Sequence, residues 1–365
     1  MGAKAVTRLR ALHQAAGRRV SSPRLAASTL LGIMTALFVA ALFANVGMGA
    51  VEIPPAQAVA ILLSHAGIDA GPDFTPRSDA ILWNIRLPRV ALGILVGGSL
   101  ALAGTALQGV FRNPLAEPGV IGVSSGAAAG AVGAIILGFS VFNFHGVAVA
   151  AFLSGLLATG VVYMVARAYG QTSVTTLILA GIAVNATAGA FTGLFIFIAD
   201  DDQLRSITFW TLGHVGGATW PVVTSILPFF IVGFLLLPLW ARALNLLTLG
   251  DREARHMGVS TERVRVSVIV LSALLTGAAV SVAGIIGFVG LVVPHVLRLV
   301  AGPDHRFLLP ASILGGATAL LLADLIARTV VVPAELPLGV VTAMVGGPFF
   351  LWLVHRTRLT WGGME

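Results

Sequence analysis

Long stretches without a single charged residue dominate this sequence and leave it few folds to choose from. They run over 25–51, 90–111, 118–166, 168–199, 206–241, 266–297, 307–323 and 336–355. A helix needs about 20 apolar residues to cross the hydrocarbon of a bilayer, because every backbone polar group must be satisfied inside its own segment there. Only 10% of the 365 residues are charged and 57% are hydrophobic. A water-soluble domain carries roughly 25% charged residues. The bilayer is therefore the solvent, and the expected class is an all-α integral membrane protein.

Several stretches are too long for one crossing. The run 118–166 breaks near Asn143–Gly146, and 266–297 breaks at Gly284, Gly287 and Gly290. About ten spans result, near 25–47, 90–111, 119–138, 146–168, 176–198, 221–241, 264–284, 286–301, 307–330 and 336–355. The first exceeds the 7–15-residue apolar core of a signal peptide and is read as a span. The chain then divides into a cytoplasmic N-terminal segment (1–24), a ten-helix domain (25–356) and a cytoplasmic tail (357–365).

Orientation follows the basic residues. Twenty-one of the 22 are Arg and one is Lys4. With the N-terminus inside, 17 basic residues fall on the cytoplasmic side. Five fall outside: Arg77, Arg86, Arg89, Arg205 and Arg328. Both termini are expected in the cytoplasm. The net charge of +7 is thus an orientation signal spread over helix ends, not a nucleic-acid surface.

Function classes fall away by what is missing. A P-loop needs a Lys to reach nucleotide phosphates, and Lys4 is the only one. No His pair has helical metal-site spacing, and Cys is absent, so no metal site, cofactor or catalytic cluster is expected in this chain. An ion-coupled secondary transporter, the different-class alternative, would bury carboxylates in its spans. Asp324 is the one candidate, and Arg328 four residues on reads as its ion-pair partner. The energy source is expected in another chain. The longest polar inner loop, about 245–265, contains Asp251–Met257, compatible with two helical turns between Gly250 and Gly258. It reads either as a short helix that takes a push or as a plain connector.

Five ordered motifs carry a resemblance. They are Arg86-Leu-Pro-Arg89, Gln108-Gly-Val-Phe-Arg-Asn-Pro-Leu-Ala-Glu-Pro-Gly-Val-Ile-Gly-Val-Ser-Ser-Gly126, Leu249-Gly-Asp-Arg-Glu-Ala-Arg-His-Met-Gly-Val259, Gly287-Phe-Val-Gly-Leu-Val-Val-Pro-His-Val-Leu-Arg298 and Pro333-Ala-Glu-Leu-Pro-Leu-Gly339. The chain resembles the FecCD-type permeases, the membrane subunits of type II ABC importers for haem, ferric siderophores and cobalamin. The likeness runs over about 25–356.

The resemblance implies ten helices per subunit in a bacterial inner membrane and a homodimer around a central pathway. It also implies two ATPase subunits below, which bind ATP and Mg, and a periplasmic substrate-binding protein above. It places binding-protein docking at Arg86, Arg89 and Arg328, whose planar forks suit carboxylates. Snorkelling at the lipid interface is the competing reading. The resemblance puts the cytoplasmic gate at Asn113, Leu115, Val174 and Thr175; Val174 departs from a compared member, which has Thr. ATPase coupling falls to Gly250, Asp251, Ala254, Arg255, Met257 and Gly258. The Gly122, Gly126, Gly130 series reads as close helix packing, and His295 as structural. His145 and His214 are weak ligand candidates. Ser124-Ser125-Gly126 looks most like haem permeases, with ferric siderophore or cobalamin as the alternative cargo.

Overall fold

A computed structural model describes residues 23–49, 51–68, 70–139, 144–168 and 171–361. The segment 1–22, with Lys4, and the last residues of the tail lie outside the described residues. So does the side chain of His145.

The chain is a bundle of α-helices. In order they are α1 (Pro23–Gly47), α2 (Pro55–His65), α3 (Pro76–Phe111), α4 (Val123–Ile136), α5 (Phe144–Ala166), α6 (Val174–Ile198), α7 (Asp201–Leu212), α8 (Trp220–Leu247), α9 (Asp251–His256), α10 (Thr261–Ala283), α11 (Val289–Ala301), α12 (His305–Thr329) and α13 (Leu338–Trp361). One two-residue hairpin, β1 (Arg167–Ala168) with β2 (Gln171–Thr172), joins α5 to α6. Among the described residues seven helices are long and apolar enough to cross a membrane, and α4, α11 and part of α13 are shorter apolar helices. Together these ten match the ten expected spans. Helices α2 and α7 were not expected. Both lie outside the ten spans.

Helix α3 is the axis. In its most apolar window 83% of residues are buried, against 11% in α6. It packs along α12, α10 and α11. These crossings are made at glycines, where backbones touch directly. A Cβ on Gly97 would strike Gly316 O, one on Gly316 would strike Gly97 O, and one on Gly104 would strike Gly290 O. The expected Gly122, Gly126, Gly130 face packs as read, against Ala158 and Ser154 of α5.

Two spans are shorter than hydropathy suggested. Helix α4 has 14 residues and is preceded by a 3-10 turn (Pro118–Ile121) and the left-handed Gly122. At 1.5 Å per residue it covers about 21 Å, less than the roughly 30 Å of hydrocarbon. Helix α11, with 13 residues, follows Phe288, its N-cap, which is left-handed at φ 67°. Helix α3 contains a π turn, Leu82–Arg86, just before Pro88. Pro lacks the N–H that an α-turn needs there, and the wider turn absorbs the mismatch.

Candidate functional site

At the end of the bundle expected to face the cytoplasm three segments meet. Helix α3 ends at Arg112, which sits in the left-handed region at φ 52°. The loop after it is pinned by Asn113, whose Oδ1 accepts Leu115 N at 2.9 Å. Asn113 and Leu115 are exposed. The second loop is the hairpin before α6. Ser173 caps α6 by accepting Thr176 N at 3.3 Å. Val174 packs partly buried against the main core, and Thr175 is exposed. All four residues expected to gate thus stand on this end of the chain, on two separate loops.

The third segment is α9, with Gly250 at its N-cap in a conformation (φ 123°) that favours glycine. Its residues divide by face. Arg252, Glu253, Arg255, His256, Met257 and Gly258 are exposed, and Met257 presents an apolar side chain at 56% exposure. Ala254 is 0% exposed and belongs to the main core. The expectation that Ala254 seats in a partner is therefore corrected: it is the residue by which α9 packs on its own subunit. Asp251 also turns inward. Its Oδ2 accepts Arg265 Nη2 at 2.6 Å, and Arg112 Nη2 stands 4.0 Å from its Oδ1.

Sequence reasoning missed Glu262, Arg265, Thr172 and Tyr163. Thr172, 3% exposed, gives every polar group it has to the start of α10. Its N donates to Glu262 Oε2 at 2.9 Å, its hydroxyl donates to Glu262 Oε1, and its carbonyl accepts Arg265 Nη1 at 3.2 Å. Tyr163 Oη donates to Glu262 Oε1 at 3.3 Å. The signal was there in a Glu and an Arg one turn apart at a span's start, but in the sequence these read only as topology charges. The loop carboxyl of Glu117 is pushed up by burial. At the start of α12, Asp304 is held below the usual carboxylate range. Burial acts against that, but the bonds from Arg306 N and Asn245 Nδ2 prevail.

At the outer end the three expected docking arginines lie around one cavity of about 780 Å³, which Glu52 and Glu335 also line. The arginines are not alike. Arg86 is 5% exposed and donates to the carbonyls of Val46, Gly47 and Val51, closing the C-terminal end of α1. This corrects the view of Arg86 as a free docking group: in this chain it is a buried clamp. Arg328 donates Nη2 to Asn45 O at 2.8 Å and to Asn45 Oδ1 at 3.0 Å. Arg89 is the hub, bonded to Asp324 on one side and to Glu335 on the other. Asp324, expected to pair with Arg328, is bound primarily to Arg89 at 2.9 Å, with Arg328 Nε at 3.9 Å. The side chain of Glu335 is half exposed, and its hydrogen bond from Arg89 holds its carboxyl below the usual range.

Two further candidates make contacts within the chain. Ser125 Oγ is bound to Asn185 Oδ1 and Gly122 O, and Asn185 Nδ2 donates to Gly119 O at 3.1 Å, tying α4 to α6. His295 meets Phe349 edge-on at 6.0 Å. Among the described residues no group of three His, Cys, Asp or Glu is placed to hold a metal.

A sequence description of the FecCD transport family matches residues 36–356. The chain belongs to the FecCD transport family. It is 47% identical over 294 residues to the hemin transport system permease protein HmuU of Yersinia pestis, spanning 78% of this chain and 86% of HmuU. It is 45% identical over 278 residues to the cobalamin import system permease protein BtuC of Halobacterium salinarum, spanning 76% and 74% of the two chains. A metal-chelate type ABC transporter solved in an inward-facing conformation superposes with a TM-score of 0.79 at 33% identity, over 90% of this chain and 99% of that one. This FecCD chain is accordingly a multi-pass permease subunit of an ABC importer. Its role is transport rather than catalysis, and FecCD permeases work with separate ATPase and substrate-binding chains.

Proposed function

We propose that the chain forms the pathway by which haem passes from a periplasmic binding protein across a bacterial inner membrane. The observation that carries the choice of cargo is the 47% identity to a hemin permease, with Ser124-Ser125-Gly126 consistent with it. Cobalamin is the second reading, favoured by 45% identity to one cobalamin permease and 40% identity over 311 residues to another from Escherichia coli.

On this reading two copies pair around the pathway. Helix α6, the least buried long span, supports that arrangement because it presents most of its length outside its own subunit. Asn113, Leu115, Val174 and Thr175 form the cytoplasmic gate. The exposed face of α9, with Gly250, Arg255, Met257 and Gly258, meets the ATPase, which holds ATP and Mg. At the outer end, Arg89 and Arg328 receive carboxylates of the binding protein, with Arg86 holding the platform from beneath. The test is uptake in proteoliposomes. The chain, its ATPase and its binding protein should accumulate haem when supplied with ATP. Uptake of cobalamin or a ferric siderophore with haem ignored would overturn the cargo while leaving the permease role standing.

A further inference from the structure

The α9 helix and the two gate loops are separate in sequence, yet their charged groups converge. Asp251, the first residue of α9, has two oxygens and a separate arginine before each. Oδ2 holds Arg265 at 2.6 Å. Oδ1 has no hydrogen-bond partner and stands 4.0 Å from Arg112, the residue before Asn113. Arg265 is buried and passes the contact on, donating its other terminal nitrogen to Thr172 O. One turn back, Glu262 takes the N–H and hydroxyl of the same Thr172. Thr172 directly precedes Ser173 and Val174. The gate loop before α6 is thus gripped largely through backbone atoms of Thr172, so rotation of the Thr172 side chain alone does not release it.

Charged hydrogen bonds are the strong ones, and Arg can hold two acceptors in fixed geometry. Burial of Arg265 limits competing water on its side of the pair. A displacement of Asp251 therefore carries Arg265 and Thr172 with it. The weaker approach of Arg112 gives the same carboxylate a second line, to the loop after α3.

We propose that Asp251, Arg265 and Glu262 are positioning residues that join α9 to both gate loops, with Asp251 as the branch point, so that α9 and the segment at Thr172 move as one body. The proposal rests on the reading of α9 as the ATPase-facing helix. None of the three need touch the cargo.

The chain has no cysteine, so pairs of spin labels can be placed cleanly. Labels at Gln171→Cys and Arg252→Cys, both exposed positions, report the distance between the hairpin and α9 in the complex with its ATPase. The expected result is one narrow distance that ATP does not change. Arg265→Met should broaden it and lower the cargo moved per ATP roughly tenfold, with the ATPase still bound and hydrolysing. Should Arg265→Met fail to fold, the isosteric Asp251→Asn reads the same distance and the same ratio. An unaltered distance and ratio in these variants would overturn the proposal. So would a Gln171–Arg252 distance that changes with ATP in a transporting wild type. If instead the wild-type complex carries no haem or other chelate, or no ATPase binds, the functional reading fails. The label distance in the chain alone, with and without Arg265→Met, still decides whether the link exists.

Discussion

Arg89 and Asp324, 235 positions apart in sequence, form a three-contact ion pair at the outer end. Arg89 Nε stands 3.1 Å from both carboxylate oxygens, and Nη2 stands 2.9 Å from Oδ1. The Asp side chain is 3% exposed and the Arg side chain 11%. Removing Asp324 leaves Arg89 with the half-exposed Glu335 alone and Arg328 without its carboxylate, and breaking a buried pair costs about 3–5 kcal/mol. Asp324→Ala should therefore lower the thermal midpoint of the purified chain sharply. The double variant Arg89→Met with Asp324→Leu should recover much of the loss, and a double-mutant cycle measures the coupling.

The glycine crossings predict a second effect. At Gly104 an added methyl meets the Gly290 carbonyl rather than a movable side chain. Gly104→Ala should force α3 from α11 and cost about 1–3 kcal/mol as an overpacked contact. At Gly160, inside α5, where a Cβ would meet nothing within 4 Å, the same change should be neutral to mildly stabilising. Thermal unfolding of the two variants side by side separates them.

Glu117 gives a pH signature. Burial raises its folded pKa above the unfolded value, so the fold favours the protonated form. The handicap of the charged form is absent below the ordinary Glu pKa of about 4.3 and grows as pH rises through the folded pKa. Glu117→Gln should stabilise the chain at neutral pH, and the gain should vanish at about pH 4. Midpoints measured across that range check both halves.

The two faces of α9 should respond differently. Met257→Asp, on the exposed face, should weaken ATPase association roughly tenfold, the scale of an anchoring interface residue, while leaving the chain folded. Ala254→Leu, at 0% exposure, should instead destabilise the chain itself. Affinity and melting measurements on both variants distinguish contact from support.

At the outer cavity, Glu335 occupies the edge of Arg89 that a docking carboxylate would need. Glu335→Gln removes the competing charge. It should quicken binding-protein association severalfold at low salt, with the gain shrinking as ionic strength rises. An unchanged rate would place docking elsewhere.

Hydropathy located the ten spans because the bilayer leaves a sequence little freedom there. It did not locate α2, with only 11 residues, or α7, which opens on Asp201 and Asp202. Both are too short or too polar to register as spans. The motifs marked where the functional ends would be, but not how they are wired. Arg328 four residues from Asp324 was visible as an i, i+4 pair, whereas the contact with Arg89 depends on how α3 crosses α12. Likewise Ala254 looked like a small residue made for a partner, and only the packing of α9 shows which way it faces.

The π turn at Leu82–Arg86 has a consequence for phase. A π turn houses one residue more than an α-turn, and each residue advances a helix by about 100°. The outer tip of α3, where Asp79 bonds His65 and Trp83, inside the turn, stacks on the same ring, is thereby rotated relative to the span below. Shortening 82–86 by one residue would swing that tip around the axis while leaving Leu87–Phe111 in register with its neighbours. The helix thus contains a joint that sets the direction of its tip separately from the packing of Leu87–Phe111.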